Sequence, residues 1–529
     1  MAEFLLTLLP IVVIVIMLVI FKKPADTTGI VGWICVSVIA FIFFRTSFEV
    51  IIRSTFSGLI KSFSVSLIVA TSLLQMAYME KSGALKRIII FIKTIASDNR
   101  AVQIMLINIG FGTLMVSVGA TPVSLLPPIL IAMGYSTYVA IALPAIGYDS
   151  LCTYALLGAP IVVFVDLANK VMPGANITLS DAGSVFYMFL PLVSTLIGFC
   201  MLWIVGKGKG IKEGWLPVII TGLVIAVVSY FTNRVDKLVV LTGIFCGLAV
   251  ILVMALFLKM TGKRVIDKSK LTKEELEYEK EYPLWKALTP WALLLVMVLV
   301  VNLGFFDQFY YKMLMPINGL SADGTAINTR FLWNAYTWIF ISTIVSMLIM
   351  RPKSSQLKET VKVWWKRAPR PVFAAAIFFA VGEIMNMSGF DMVTKKFDEG
   401  MNMVKILADY SSSLFQGAYG AVASVIGLFG GFITGSEAST IGMFGKYAIL
   451  TAKQLNYNQT GILIITAALA FGGGLASVIS PAKLQNAAAS IDKLGEENKV
   501  IRVAFVFSII LTSVTAIYAL ILLNTGFML

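Results

Sequence analysis

The chain has 529 residues, of which 58% are hydrophobic and only 13% charged, and its mean hydropathy is +0.89. Soluble domains carry about 25% charged residues, so this composition excludes an ordinary soluble protein and describes a polytopic membrane protein. The formal net charge of +14 does not point to nucleic acid, because the Lys and Arg fall between apolar runs, as the positive-inside rule expects.

The opening stretch MAEFLLTLLPIVVIVIMLVIFKK carries its basic pair, Lys22 and Lys23, after the apolar run. It has no small-residue cleavage site, so it reads as a first spanning helix ending in the cytoplasm and not as a removed signal. Apolar runs able to cross about 30 Å of hydrocarbon then recur at 28–44, 64–80, 101–118, 186–205, 215–231, 238–258, 289–306, 331–350, 371–388, 415–434, 459–479 and 502–524. The expected fold is an all-α polytopic membrane protein of about 12–14 transmembrane helices. Between 119 and 168 the apolar signal is interrupted by Pro122, Pro127, Pro128, Pro144 and Pro160, and a similar interruption runs from 435 to 482. Both predict re-entrant or broken helices.

Basic clusters set the orientation. Lys22–Lys23, Lys81 to Arg100, Lys207 to Lys212, the 259–288 loop and the 351–370 loop all fall on the cytoplasmic side if the N-terminus lies outside. Arg45, Arg53 and Lys61 fit this orientation less well. The loop 259–288 is the one long charged segment, a solvated linker with i,i+4 charge pairs between Glu274 and Glu281. It divides the chain into a first membrane half, 1–258, and a second, 289–529.

The halves share a weak repeat. Met79 precedes Ser82–Gly83, and Met385 precedes Ser388–Gly389; each is followed by an amphipathic stretch, a span, a Gly/Ser/Thr break and a small-residue–Pro step, Ala159–Pro160 or Ser480–Pro481. The charge pattern puts the first Ser–Gly turn inside and the second outside, so the halves are expected to be inverted repeats. Secondary transporters of this build bind substrate near the midplane, where the repeats meet.

The chemistry concentrates in the breaks. In the second half, GGFITGSEASTIGMFG runs from Gly430 to Gly445. Irregular polar backbone at membrane depth must be buried in protein or line a wet cavity, and intramembrane carboxylates are costly and usually functional. Ser436, Ser439 and Thr440 offer hydroxyls, and a helix restarting there points free N–H groups at an anion. Gly427 and Gly431 read as close helix packing. Glu437 either binds a coupling ion, a proton or sodium, or is a structural carboxylate paired with Lys446 or Lys483. In the first half, Gly119, Thr121 and Pro122 occupy the corresponding break, and Asp149 downstream is a coupling-ion site or a helix cap. The second-half counterpart, FGGGLASVISPAKLQNAA, contributes Ser480 and Lys483. Lys483 either meets a substrate carboxylate or snorkels to the interface. The run Gly472 to Gly474 predicts an unwound helix with exposed carbonyls, and Glu383 within a span reads as structural.

Catalytic classes find no support. There is no GxxxxGK[ST] loop for a nucleotide-driven pump and no histidine. Cys35, Cys152, Cys200 and Cys246 sit in apolar stretches as small buried hydrophobes. No catalytic residue, cofactor or metal site is expected; the partners are the bilayer, a small carboxylate and a coupling ion, protons or sodium.

The segment GGFITGSEASTIGMFGKYAILTAKQLN, followed by GGGLASVISPAKLQNAAASIDKLGEENKVIR, resembles the C-terminal signature of the lactate permease family. The first-half stretch SVGATPVSLLPPILIAMGYSTYVAIALPAIGYDS with LLGAP, and the opening LLPIVVIVIMLVIFKKPA, are similar to it as well. This resemblance implies a proton-coupled symporter of L-lactate, glycolate or a related 2-hydroxy monocarboxylate in the plasma membrane, with the site on hairpins of inverted repeats. Two positions depart from the family pattern: Glu437 stands where Asn or Asp is usual, and Thr113 to Gly119 lacks a Glu-Gly pair. The coupling group has then moved to Glu437, or the substrate differs from lactate. A sodium-coupled carrier of another organic anion and an uncoupled facilitator are the competing expectations.

Overall fold

The computed structural model describes the chain except for residues 1, 22, 96–98, 120–121, 303–308, 481–482, 485–486, 489, 492, 494–495 and 526–529. Thr121 and Pro481, both singled out in the sequence, lie outside the described residues. Among the described residues, 11 helices are long and apolar enough to cross a membrane, and two shorter apolar helices, Ala2–Leu18 and Ala335–Met350, accompany them. One of the long ones, Leu179–Thr232, breaks at Lys207 (φ 50°, ψ −140°), so it supplies the two separate runs expected at 186–205 and 215–231. The protein is thus the all-helical, multi-pass membrane protein its composition requires. Described β structure amounts to two two-residue ribbons and one isolated bridge.

One segment that hydropathy left unassigned is a helix. Phe48–Lys61 starts at Ser47, whose hydroxyl accepts from the Val50 N–H at 3.3 Å. It packs on the helix Pro369–Met387 so closely that a Cβ on Gly58 would lie 2.6 Å from the Ala380 Cα. Its last residue, Lys61, forms an ion pair with buried Glu383 of that helix. This explains why Arg53 and Lys61 fit the loop-charge rule poorly: they belong to a folded helix and not to a loop.

The charged 259–288 segment is docked and not free. Its helix Lys273–Glu281 begins with a capping box between Thr272 and Glu275. Arg87 bonds Glu279 at 2.7 Å, Lys93 bonds Glu275 at 2.5 Å, and the Tyr278 hydroxyl donates to the Gly83 carbonyl at 3.0 Å. The linker therefore straps down the helix Ala84–Lys93 of the first half.

Helices Tyr419–Thr434 and Gln459–Ala476 share a glycine seam. A Cβ on Gly427 would meet the Leu469 carbonyl oxygen at 1.9 Å, and one on Gly431 would meet that of Gly473 at 1.9 Å. Both glycines do the packing expected of them. The run Gly472–Gly474 does not unwind, contrary to expectation: it stays helical, and the helix tightens only at Ser477–Ile479. The glycines serve close approach instead. Gly472 faces the Ser424 carbonyl, Gly473 faces Thr440, and Gly474 faces Cys152 and Glu437.

Candidate functional site

The second-half break is a tight turn fixed by its own hydroxyls. Helix Tyr419–Thr434 stops because Gly435 turns left-handed at φ +66°, a conformation glycine adopts without Cβ strain. Ser436 then caps the next helix, Glu437–Gln454, by accepting from the Ser439 N–H at 3.3 Å. The Thr440 hydroxyl donates to the Ser436 carbonyl at 2.8 Å, and Thr434 accepts from the Ser436 N–H at 3.2 Å. Three hydroxyls are thereby committed to shaping the turn. The Ser439 hydroxyl, 1% exposed, has no hydrogen-bond partner among the described residues. Ser480 closes the turn from the other side, its Oγ 3.0 Å from where a Cβ on Gly435 would stand.

Glu437 reaches across to the first half. It is 4% exposed; its Oε1 accepts from the Thr153 hydroxyl at 2.8 Å and its Oε2 from the Cys152 thiol at 2.8 Å. Both donors lie in the narrow helical turn Tyr148–Tyr154, which follows the helix Thr137–Gly147. Beyond it Leu156, Leu157 and Gly158 are consecutively left-handed, at φ 54°, 55° and 73°. Each non-glycine residue so held costs about 1–2 kcal/mol, so packing must impose the break. Asp149, 3% exposed, sits in the same turn, and the charges of Asp149, Glu437 and Lys483 act on one another. Lys446, by contrast, donates to the Asn386 carbonyl at 2.9 Å.

The structure therefore brings Ser436, Glu437, Ser439, Thr440, Ser480, Asp149 and Lys483 into one neighbourhood. Gly119, at φ +89°, faces Ser72 and Ile339, and Pro122, buried, opens the helix Pro122–Ala132; neither has a contact with Glu437 among the described residues. Sequence reading missed Cys152 and Thr153 as partners of Glu437, because a thiol in an apolar run looks like core. Their position directly after the polar pair Asp149–Ser150 was the available signal.

A cavity of about 980 Å³ leads toward this turn. It is lined by the ends of helices and loops, 166–173, 323–330 and 397–405, on the face that the charge pattern puts outside. Arg330 grips both oxygens of Asp166 at 2.8 Å, and Lys170 lies 3.3 Å from Asp323, so the 316–330 loop is fastened to the rim. Partial burial pushes the Asp323 carboxyl up, but the Ser321 and Thr325 hydroxyls and Lys170 outweigh it and hold it well below the usual carboxylate range. Along the helix Glu437–Gln454, the cavity is lined by Gly442, Lys446, Leu450 and Lys453 but not by the first turn. Between them Val65, Phe379 and Ala438 form a small apolar layer joined by Val163. Phe379 lies flush on Gly442, where a Cβ would come within 2.5 Å of the ring.

Comparison with known proteins places this geometry in context. Residues 3–525 match a family model described as L-lactate permease. The chain is 23% identical to "Glycolate permease GlcA" of Escherichia coli K12 over 98% of this chain and 95% of that one. It is also 23% identical to the L-lactate permease of the same organism, over 83% and 80%. Among solved structures, the YdaH transporter of Alcanivorax borkumensis covers 89% of the chain with 88% of its own, at 12% identity and a TM-score of 0.45.

Proposed function

This chain belongs to the L-lactate permease family, and we propose that it is a proton-coupled symporter of L-lactate, glycolate or a related short 2-hydroxy monocarboxylate across the plasma membrane. As a permease it is a transporter and not an enzyme. The observation that carries the coupling is Glu437, buried in the second half and hydrogen-bonded at both oxygens by first-half donors. A carboxylate at that depth is retained only where it is compensated, and here a proton can neutralise it in place. The donor set favours a proton over sodium, because a thiol is a poor ligand for a hard cation. When Glu437 is protonated, the turn loses a negative charge and admits the anion beside the Ser439 hydroxyl, the start of the helix and Lys483.

The halves 1–258 and 289–529 act as inverted repeats in this reading. Supporting it, Gly83 and Gly389 in the two Ser–Gly turns are both left-handed (φ +82° and +70°), as are the break glycines Gly119 and Gly435. Uptake of labelled L-lactate and glycolate into proteoliposomes tests the function. Accumulation above equilibrium driven by a pH gradient alone supports it. Accumulation only under a sodium gradient transfers the coupling to sodium, and equilibration without accumulation under either gradient leaves a facilitator.

A further inference from the structure

We propose that the inner end of the outward cavity is an entry site for one monocarboxylate, with Lys446 taking the carboxylate and the Asn386 amide taking the 2-hydroxyl. The substrate class rests on the function proposed above; the site itself rests on the cavity. Lys446 lies on the helix that begins at Glu437 and lines the cavity. Its ammonium donates to the Asn386 backbone carbonyl at 2.9 Å and lies 5.3 Å from the centre of the Phe397 ring. The ion pairs among the described residues do not include it, so two of its three N–H donors remain for a ligand. Asn386, 5% exposed, also lines the cavity, and its side-chain Oδ1 is buried without a hydrogen-bond partner among the described residues. A buried amide oxygen left so costs about 1–3 kcal/mol, and a ligand hydroxyl is the donor that would satisfy it once the amide turns toward the cavity.

Charge selects the ligand's valence. The groups acting on Lys446 are Glu383, Lys170, Lys61 and Asp323. Lys61 is paired with Glu383, and Lys170 with Asp323, which leaves the Lys446 charge to be met from the cavity. A single carboxylate balances it, whereas a dicarboxylate brings a second charge with no partner, a costly arrangement in a part-desolvated site. Phe379, seated on Gly442 one turn further in, separates this site from the Ser436–Glu437 turn. The anion thus waits at Lys446 until that ring moves.

The test measures initial uptake against concentration in proteoliposomes, together with calorimetric binding of L-lactate and propionate to the purified protein. In Lys446→Gln, KM and Kd rise about tenfold for both acids, as loss of a charged hydrogen bond predicts, and Lys446→Arg recovers most of this. Asn386→Ala weakens L-lactate about fivefold or more and leaves propionate unchanged, since only the former offers a hydroxyl to the amide. Lys453→Gln, the same charge change at the exposed rim, shifts KM by less than about twofold. Equal shifts in Lys446→Gln and Lys453→Gln, or equal loss of both acids in Asn386→Ala, overturn the entry site while leaving the transport function standing. Wild-type protein that neither binds nor moves either acid overturns both.

Discussion

At Gly435 the chain is held by Thr434, Ser436, Thr440 and Ser480, and the next residue but one crosses to the other half of the molecule. At Gly119, the glycine that the proposed repeat sets against Gly435, the nearest described neighbours are the Ser72 side chain and the tip of Ile339. The two turns share a left-handed glycine followed by a restarted helix, yet only the second carries a carboxylate. The first half places its polar groups about thirty residues further on, in the Tyr148–Tyr154 turn, where Asp149, Cys152 and Thr153 gather. Two breaks with the same backbone logic thus have different chemical duties. A glycine marks where a helix can stop; the side chains around it determine whether the stop binds anything.

The largest effect that tests this contrast is Glu437→Gln. Two charge-assisted hydrogen bonds of about 1.5–3 kcal/mol each are weakened, and proton-driven accumulation of lactate is abolished, while downhill uptake persists without pH dependence. Uptake that stays driven by a pH gradient in this variant removes Glu437 from the coupling. Next comes Thr153→Val, which deletes one donor and lowers coupled uptake about tenfold. Cys152→Ser keeps a donor at the same place and changes uptake by less than about threefold, so a loss equal to that of Thr153→Val shows that the thiol packs and does not donate.

Stability measurements separate the glycines. Alanine at any left-handed position costs about 1–2 kcal/mol in backbone strain. Gly134, at φ +83° with nothing within 4 Å, reports that strain alone. Gly435→Ala adds a clash with the Ser480 hydroxyl at 3.0 Å, and Gly119→Ala a contact with the flexible end of Ile339 at 3.1 Å. Melting temperature therefore falls most for Gly435→Ala, less for Gly119→Ala and least for Gly134→Ala; the reverse order makes the Gly119 turn the rigid one. The smallest effect belongs to the strap. Partial burial raises the Glu275 carboxyl, but the Lys93 ammonium and the Thr272 backbone outweigh this and hold it low. Because its folded-state value is depressed, its contribution is full at neutral pH and fades as acid protonates it. Glu275→Gln then costs at most about 1 kcal/mol at pH 7, and the difference from wild type vanishes in acid.

Hydropathy and charge determined the membrane class, most of the spans and the two stretches within which helices break, because lipid imposes apolar length; the prolines did not mark the breaks themselves, since Pro127, Pro128 and Pro144 lie inside helices. The polar string from Thr434 to Thr440 was likewise visible, since no apolar span tolerates it without cause. Local sequence did not reveal the Glu437 partners, as Cys152 and Thr153 are nearly three hundred residues away and neither looks ionisable or strained in isolation. It misread Gly472–Gly474 as unwound for a related reason: a glycine run marks freedom of the backbone, and only the neighbouring helix decides that the freedom is used for contact. Lys61, Glu383 and Lys446 also acquired meaning only in three dimensions. Their charges come from separate helices, and their roles depend on which carboxylate each ammonium meets inside the fold and which ammonium is left facing the cavity.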